Sequence, residues 1–166
     1  MAKSVRFLLS KLGILSAMVF FTAGCASISI PQYVKDDYPY KHKIYASFED
    51  VSSATKDVLD STGWVVLTTT DPSVFERTKD IGGPEYKQIL LISDVRQTAF
   101  FVGSRYARVN VYIRSSNADY TEIEVRYVTV SSMFFKNFYK YRNDAEVNRI
   151  FRHIEEKLSV TPEHSS

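Results

Sequence analysis

Apolar and polar positions alternate along this chain with two different periods, and each change of period marks an element. From Tyr106 to Arg114 the period is two. Ala107, Val109, Val111 and Ile113 share one face, and Arg108, Asn110, Tyr112 and Arg114 share the other. Tyr120–Val130 repeats the pattern, with Ile123, Val125 and Tyr127 opposing Glu122, Glu124 and Arg126. The polar stretch Ser115–Asp119, with Asn117 at its centre, joins the two runs, so they predict an antiparallel hairpin. A turn centred on Asn117 pairs Val111 with Ile123 and Val109 with Val125. It also sets Asn110 opposite Glu124, Tyr112 opposite Glu122, and Arg108 diagonal to Glu124. Glu122 and Glu124 then alternate with Arg and Tyr across the hairpin, as on a solvated sheet face.

Two further strands are expected. Trp64–Thr70 is aromatic and β-branched, and Gln88–Asp94 is a continuous apolar run of the kind found in a central strand. The period lengthens to that of a helix over Phe48–Ser61, where Phe48, Val51, Ala54, Val58 and Leu59 form one stripe. Ser47 is placed as its N-cap, Asp50 follows three residues on, and Gly63 stands where a left-handed C-cap is wanted. A second helix is expected over Asp144–Leu158, from the stripe Val147, Ile150, Phe151, Ile154 and Leu158. Val74–Lys87, broken by Gly82-Gly83-Pro84, and Val95–Arg105, with its apolar Ala99-Phe100-Phe101-Val102, carry no clear period. Helices with one apolar stripe and strands with one polar face predict an α+β fold in two layers. Its antiparallel sheet would have about four strands, with two helices packed on one face and water or a partner on the other.

The first residues follow a different logic. Met1–Lys11 carries Lys3, Arg6 and Lys11, Leu12–Thr22 is apolar, and Ala23, Gly24 and Cys25 follow. This is the layout of an export signal. Eleven or twelve apolar residues make a helix of roughly 18 Å, short of a bilayer core of about 30 Å. Extension back to Phe7 would put Lys11 in the bilayer, at a cost of roughly 3 kcal/mol. The expected organisation is a signal peptide over 1–24, an extended tether over 25–45, a globular domain over 46–160 and a disordered tail over 161–166.

Composition narrows the function classes. With 45% hydrophobic and 24% charged residues among 166, the chain is of globular type. Its net charge of +2 rests on the leader. Without the leader's three cations the remaining 18 basic residues face 19 acidic ones, which argues against nucleic acid as a partner. The single cysteine excludes an intrachain disulfide. His42, His153 and His164 lie far apart in sequence with no metal-binding spacing, and Asp36-Asp37 lacks the loop of a calcium site. Gly103-Ser104 is not a nucleophile elbow, and Gly82-Gly83 lacks the residues of a phosphate loop. A triad of Ser93, Asp94 and His153 would need the fold to bring them together. No catalytic residue, metal or cofactor is therefore expected.

Aromatic residues stand out instead. Tyr33, Tyr38 and Tyr40, with Tyr45, punctuate the tether, either against a partner or against the chain's own domain. Ser131–Arg142 (SSMFFKNFYKYR) interleaves Phe134, Phe135, Phe138, Tyr139 and Tyr141 with Lys136, Lys140 and Arg142. These rings could pack over the core, dock a partner or dip into lipid headgroups.

Thr22-Ala23-Gly24-Cys25 resembles the lipobox of bacterial lipoproteins, with Thr22 in place of the commoner Leu. The resemblance implies cleavage between Gly24 and Cys25, a diacylglycerol on the Cys25 thiol and an acyl chain on its new amino group. Ala26 and Ser27, with no Asp after the cysteine, imply an outer-membrane location facing the periplasm. From about residue 45 to 159, the order of elements and Gly63-Trp64 resemble the helix-grip domains of the C lipoprotein of the outer-membrane β-barrel assembly machinery. The expected function is a non-enzymatic binding or scaffold module in an envelope complex, anchored to the membrane and contacting an envelope protein. The alternative is a lipid- or small-molecule-binding lipoprotein, with a pocket between sheet and helices lined by Phe100, Phe101 and Phe135.

Overall fold

The computed structural model describes residues 29–76, 86–99, 104–116, 119–133 and 136–160. The lipobox, Phe100 to Val102, Phe134, Phe135 and His164 lie outside them. In chain order the elements are β1 (Tyr40–Ile44), α1 (Phe48–Ser61), β2 (Val66–Thr70), a 3-10 turn (Pro72–Val74), β3 (Gln88–Ser93), β4 (Arg96–Ala99), β5 (Arg105–Ser115), β6 (Thr121–Met133), β7 (Lys136–Lys140) and α2 (Asp144–Val160).

Among the described residues the fold is α+β with an antiparallel sheet and two helices, but the sheet has seven strands rather than about four. The extra strands come from the length of β5 and β6. Each is long enough to pair with two short segments end to end. β3 pairs β5 over Asn110–Arg114 and β4 pairs it over Arg105–Ala107. β1 pairs β6 over Thr121–Val125 and β7 pairs it over Thr129–Met133. β2 forms one edge beyond β3. β1 lies inside the expected tether, so the last residues of that segment belong to the sheet.

The β5–β6 hairpin forms, but its register differs by two residues from the expected one. Val111 pairs Val125, Ile113 pairs Ile123 and Arg114 pairs Glu122. The reason is the loop. Ser115 pairs Thr121, and the Ser116 N–H reaches the Tyr120 carbonyl at 3.2 Å, so the pairing is centred one residue beyond Asn117. A two-residue shift leaves every side chain on its own face. It also sets Arg114 against Glu122, 3.0 Å apart.

Both helices form as the stripes predict. Ser47 Oγ accepts the Asp50 N–H at 3.1 Å, and α1 ends at Thr62 before Gly63, whose φ is +83°. The stripes of α1 and α2 cover one sheet face. Val51, Val58, Leu59, Val147, Ile150 and Ile154 pack there with Trp64, Leu91, Val109, Val111, Ile123 and Val125.

The opposite face is not open to water. Arg108, Asn110, Tyr112, Glu124 and Arg126, which read as a solvated row, are all buried. Residues 30–34 cross them as a strap. Arg108 donates to the Pro31 carbonyl at 2.8 Å, Asn110 Nδ2 to the Gln32 carbonyl at 3.2 Å, and the Val34 N–H to Asn110 Oδ1 at 2.7 Å. A row of arginine, asparagine and glutamate can be buried because the strap's backbone brings hydrogen-bonding groups to meet it.

Candidate functional site

Two places bring together side chains whose chemistry exceeds what packing requires. The first is the strapped face. Tyr33 stacks on Phe75, with centroids 5.0 Å apart and planes 8° from parallel. Its hydroxyl donates to Glu76 and accepts from Arg126. Arg126 continues to Glu76 at 2.7 Å and, through Nε, to Glu124 Oε1 at 2.6 Å. Burial pushes the Glu124 carboxyl up from its ordinary value, opposed by Lys41 3.6 Å away. Lys41, Glu76, Glu124 and Arg126 each meet an opposite charge, as an internal ion pair must to persist away from water. Tyr33 thus packs on the chain's own domain, the second of the two placements open for the tether's tyrosines, whereas Tyr38 and Tyr45 stay exposed.

The second place lies on the helix-bearing face, at the end of the sheet where α2 begins. A cleft of about 360 Å3 is lined by Arg96 and Thr98 of β4, Arg105 of β5, Tyr127 and Thr129 of β6, and Lys140 of β7. Arg142, Asn143 and Glu146 complete it from the start of α2. Strand pairing explains the grouping, since Thr129 sits opposite Lys140 and Ala107 opposite Arg96, so these side chains share a face. One wall is fixed. Glu146 Oε1 accepts from Trp64 Nε1 at 2.9 Å, from Arg96 at 2.9 Å and from Arg149 at 2.8 Å. The Arg96 guanidinium lies 3.8 Å over the Trp64 ring and also donates to the Thr62 carbonyl at 2.7 Å. Burial raises the Tyr127 hydroxyl above the usual phenol range, opposed by a hydrogen bond with Asn143. The cleft is polar and cationic, so it suits a small anion better than an apolar ligand.

The residues singled out from sequence separate into several locations. Tyr33 is half-buried in the strapped face. Tyr38 is exposed. Tyr40 starts β1, where its hydroxyl donates to Asp144 and accepts the Asn143 N–H at 3.1 Å, so it ties β1 to the start of α2. Phe138, Tyr139 and Tyr141 are exposed on or beside β7, and the Tyr139 hydroxyl donates to the Ser29 carbonyl at 3.1 Å. Tyr45 is exposed and meets Tyr120 edge-on. Phe134 and Phe135 fall outside the described residues.

Ser93, Asp94 and His153 do not form a triad. The Ser93 hydroxyl donates to the Asp94 carbonyl at 2.9 Å and accepts the Val109 N–H at 3.0 Å. His153 pairs with Glu156 on its own helix. His42 is bonded to Glu155 at 2.7 Å and stacks on Phe151. Asp36 Oδ1 accepts the Tyr38 N–H at 2.9 Å, a local turn bond. Among the described residues, no three of His, Cys, Asp or Glu converge as a metal site would require.

Sequence reading missed the cationic cleft because its members come from five separate elements, two of them short polar strands. One signal was available. Lys136, Lys140 and Arg142 lie in a stretch, Val125–Asn143, that holds no acid. No protein-family model and no curated protein matches the chain.

Proposed function

We propose that this chain is an acylated lipoprotein of the outer membrane, facing the periplasm. Its α+β domain would act as a non-enzymatic binding or scaffold module in an envelope complex. The observation that carries this reading is the seat of Ser29 against Tyr139. Ser29 follows Cys25 by four residues, a span of at most about 14 Å of extended chain. An acylated Cys25 therefore holds β7, with Phe138, Tyr139 and Tyr141 exposed, close to the bilayer. The strap supports the same reading, since from Ser29 onward the chain is seated on the domain. Among the described residues no helix is long and apolar enough to cross a membrane, and the lipid on Cys25 would supply the attachment. The domain meets its envelope partner through the exposed rings of Tyr38 and β7.

The test is mass spectrometry of the protein recovered from membranes, joined to crosslinking in cells. The expected result is a chain starting at Cys25 with added acyl mass. One dominant envelope protein should crosslink to it, and that crosslink should be lost in Cys25→Ser and weakened in Phe138→Ala. An unmodified Cys25 overturns the anchor. Recovery of an acylated chain with no specific partner overturns the scaffold role.

A further inference from the structure

Four cations, Arg96, Arg105, Lys140 and Arg142, line the cleft at the start of α2, against the one carboxylate of Glu146. Glu146 is already committed to Trp64, Arg96 and Arg149, and Arg96 is fixed between Trp64, Thr62 and Glu146. That leaves Arg105, Lys140 and Arg142. Among the described residues none of the three has a carboxylate within ion-pair distance. Arg105 reaches the Ser131 hydroxyl at 3.3 Å, and Arg142 lies 4.6 Å from the Tyr40 ring centroid. Arg142 also hydrogen-bonds the Tyr40 hydroxyl, which donates to Asp144. Three like charges around one cleft, none of them in a direct ion pair, repel one another, and a bound anion would relieve that repulsion.

We infer that this cleft binds a phosphate group, carried either by a small soluble ester or by a lipid headgroup. Two guanidiniums offer planar forks that match phosphate oxygens, and the Lys140 ammonium adds a compact third charge. A phosphate dianion balances three free cations better than a single carboxylate does. The volume of about 360 Å3 leaves room beyond the phosphate for the group that bears it. The inference goes beyond the anchored-module reading and does not depend on it, because it stands on the charge of the cleft whether or not Cys25 is acylated.

The test uses the full chain as Cys25→Ser, purified in a non-ionic detergent. Glycerol 3-phosphate and inorganic phosphate are titrated calorimetrically at about 0.15 M salt, where exposed charges are largely screened. Co-sedimentation with phosphatidylglycerol vesicles is compared with phosphatidylcholine vesicles. The cleft variant Lys140→Ala/Arg142→Ala is set beside the charge-matched control Lys35→Ala/Lys56→Ala. Saturable phosphate binding is expected, weakened about tenfold or more in the cleft variant and unchanged in the control. Binding of the soluble ester assigns a soluble ligand. Retention on phosphatidylglycerol alone, lost in the cleft variant, assigns a headgroup. No saturable binding in either format overturns the inference, and so does equal loss in variant and control. If circular dichroism shows the double variant unfolded, Lys140→Gln repeats the comparison at one exposed side chain.

Discussion

The Val34 N–H and Asn110 Oδ1 lie 2.7 Å apart, and both residues are sealed from water. Asn110 sits mid-way along β5, and its amide turns its other end to the Gln32 carbonyl. One side chain thus satisfies two backbone groups of a segment that has no strand of its own to pair with. Asn110→Ala would leave the buried Val34 N–H without a partner. A loss of about 2–3 kcal/mol is expected in denaturant unfolding. Limited proteolysis near the exposed Lys35 should accelerate in parallel. Tyr38→Ala, at a highly exposed site, should stay within about 0.5 kcal/mol of the parent.

Glu146 and Glu49 offer a contrast between an enclosed and an open carboxylate. Glu146 takes three donors, and its removal strands Arg96, Arg149 and the indole N–H of Trp64. Glu146→Ala is expected to cost about 3 kcal/mol. Lys87→Ala breaks the exposed pair with Glu49 and should leave the denaturation midpoint unchanged. Equal effects in the two variants would contradict this account.

Gly63 follows the Thr62 C-cap of α1 in the left-handed region, at φ +83°. A Cβ there would lie 3.2 Å from the Arg96 guanidinium. Gly63→Ala should therefore destabilise by about 1–2 kcal/mol, chiefly through backbone strain. It should also disturb the stacking of Arg96 on Trp64, seen as a shift in tryptophan emission.

Burial raises the hydroxyls of Tyr112 and Tyr127 above the usual phenol range, whereas hydrogen bonding by Ser116 and charge from Lys43 lower that of Tyr120. For the two buried phenols the folded chain holds its protons more tightly than the unfolded chain does. Their contribution to stability is whole below pH about 10 and is lost as pH rises through their folded values. Ultraviolet titration should show a late tyrosine component that Tyr112→Phe and Tyr127→Phe each reduce. A single early transition for all tyrosines would refute the burial account.

Much of this fold was legible because it is local. Ser47 and Gly63 bracket α1, and the stripes on both helices match their buried faces. Period-two alternation assigned Ala107–Arg114 of β5 and Glu122–Tyr127 of β6 to their faces. It could not choose between registers two residues apart, because Val111 meets an apolar partner in either one. β1 left a trace in the alternation of Tyr40, His42 and Ile44 inward with Lys41 and Lys43 outward, masked by Pro39 just before it. β4 and β7 are short and polar, and take their order from the long strands beside them. The buried polar face was misread for a physical reason. Arginine and glutamate in alternation look the same whether water or a strap's backbone satisfies them.

The strap also decides how mechanical load enters the domain. With Cys25 acylated as proposed, a pull from it would reach Ser29 and then the contacts of Pro31, Gln32 and Val34, before any strain falls on β1. Those bonds are made by successive residues of the strap, so they would yield one after another. Peeling them lengthens the connection to the anchor while the pairing of β1 with β6 stays intact. The strap is in effect a reserve of slack that leaves the sheet whole while the domain moves away from its point of attachment.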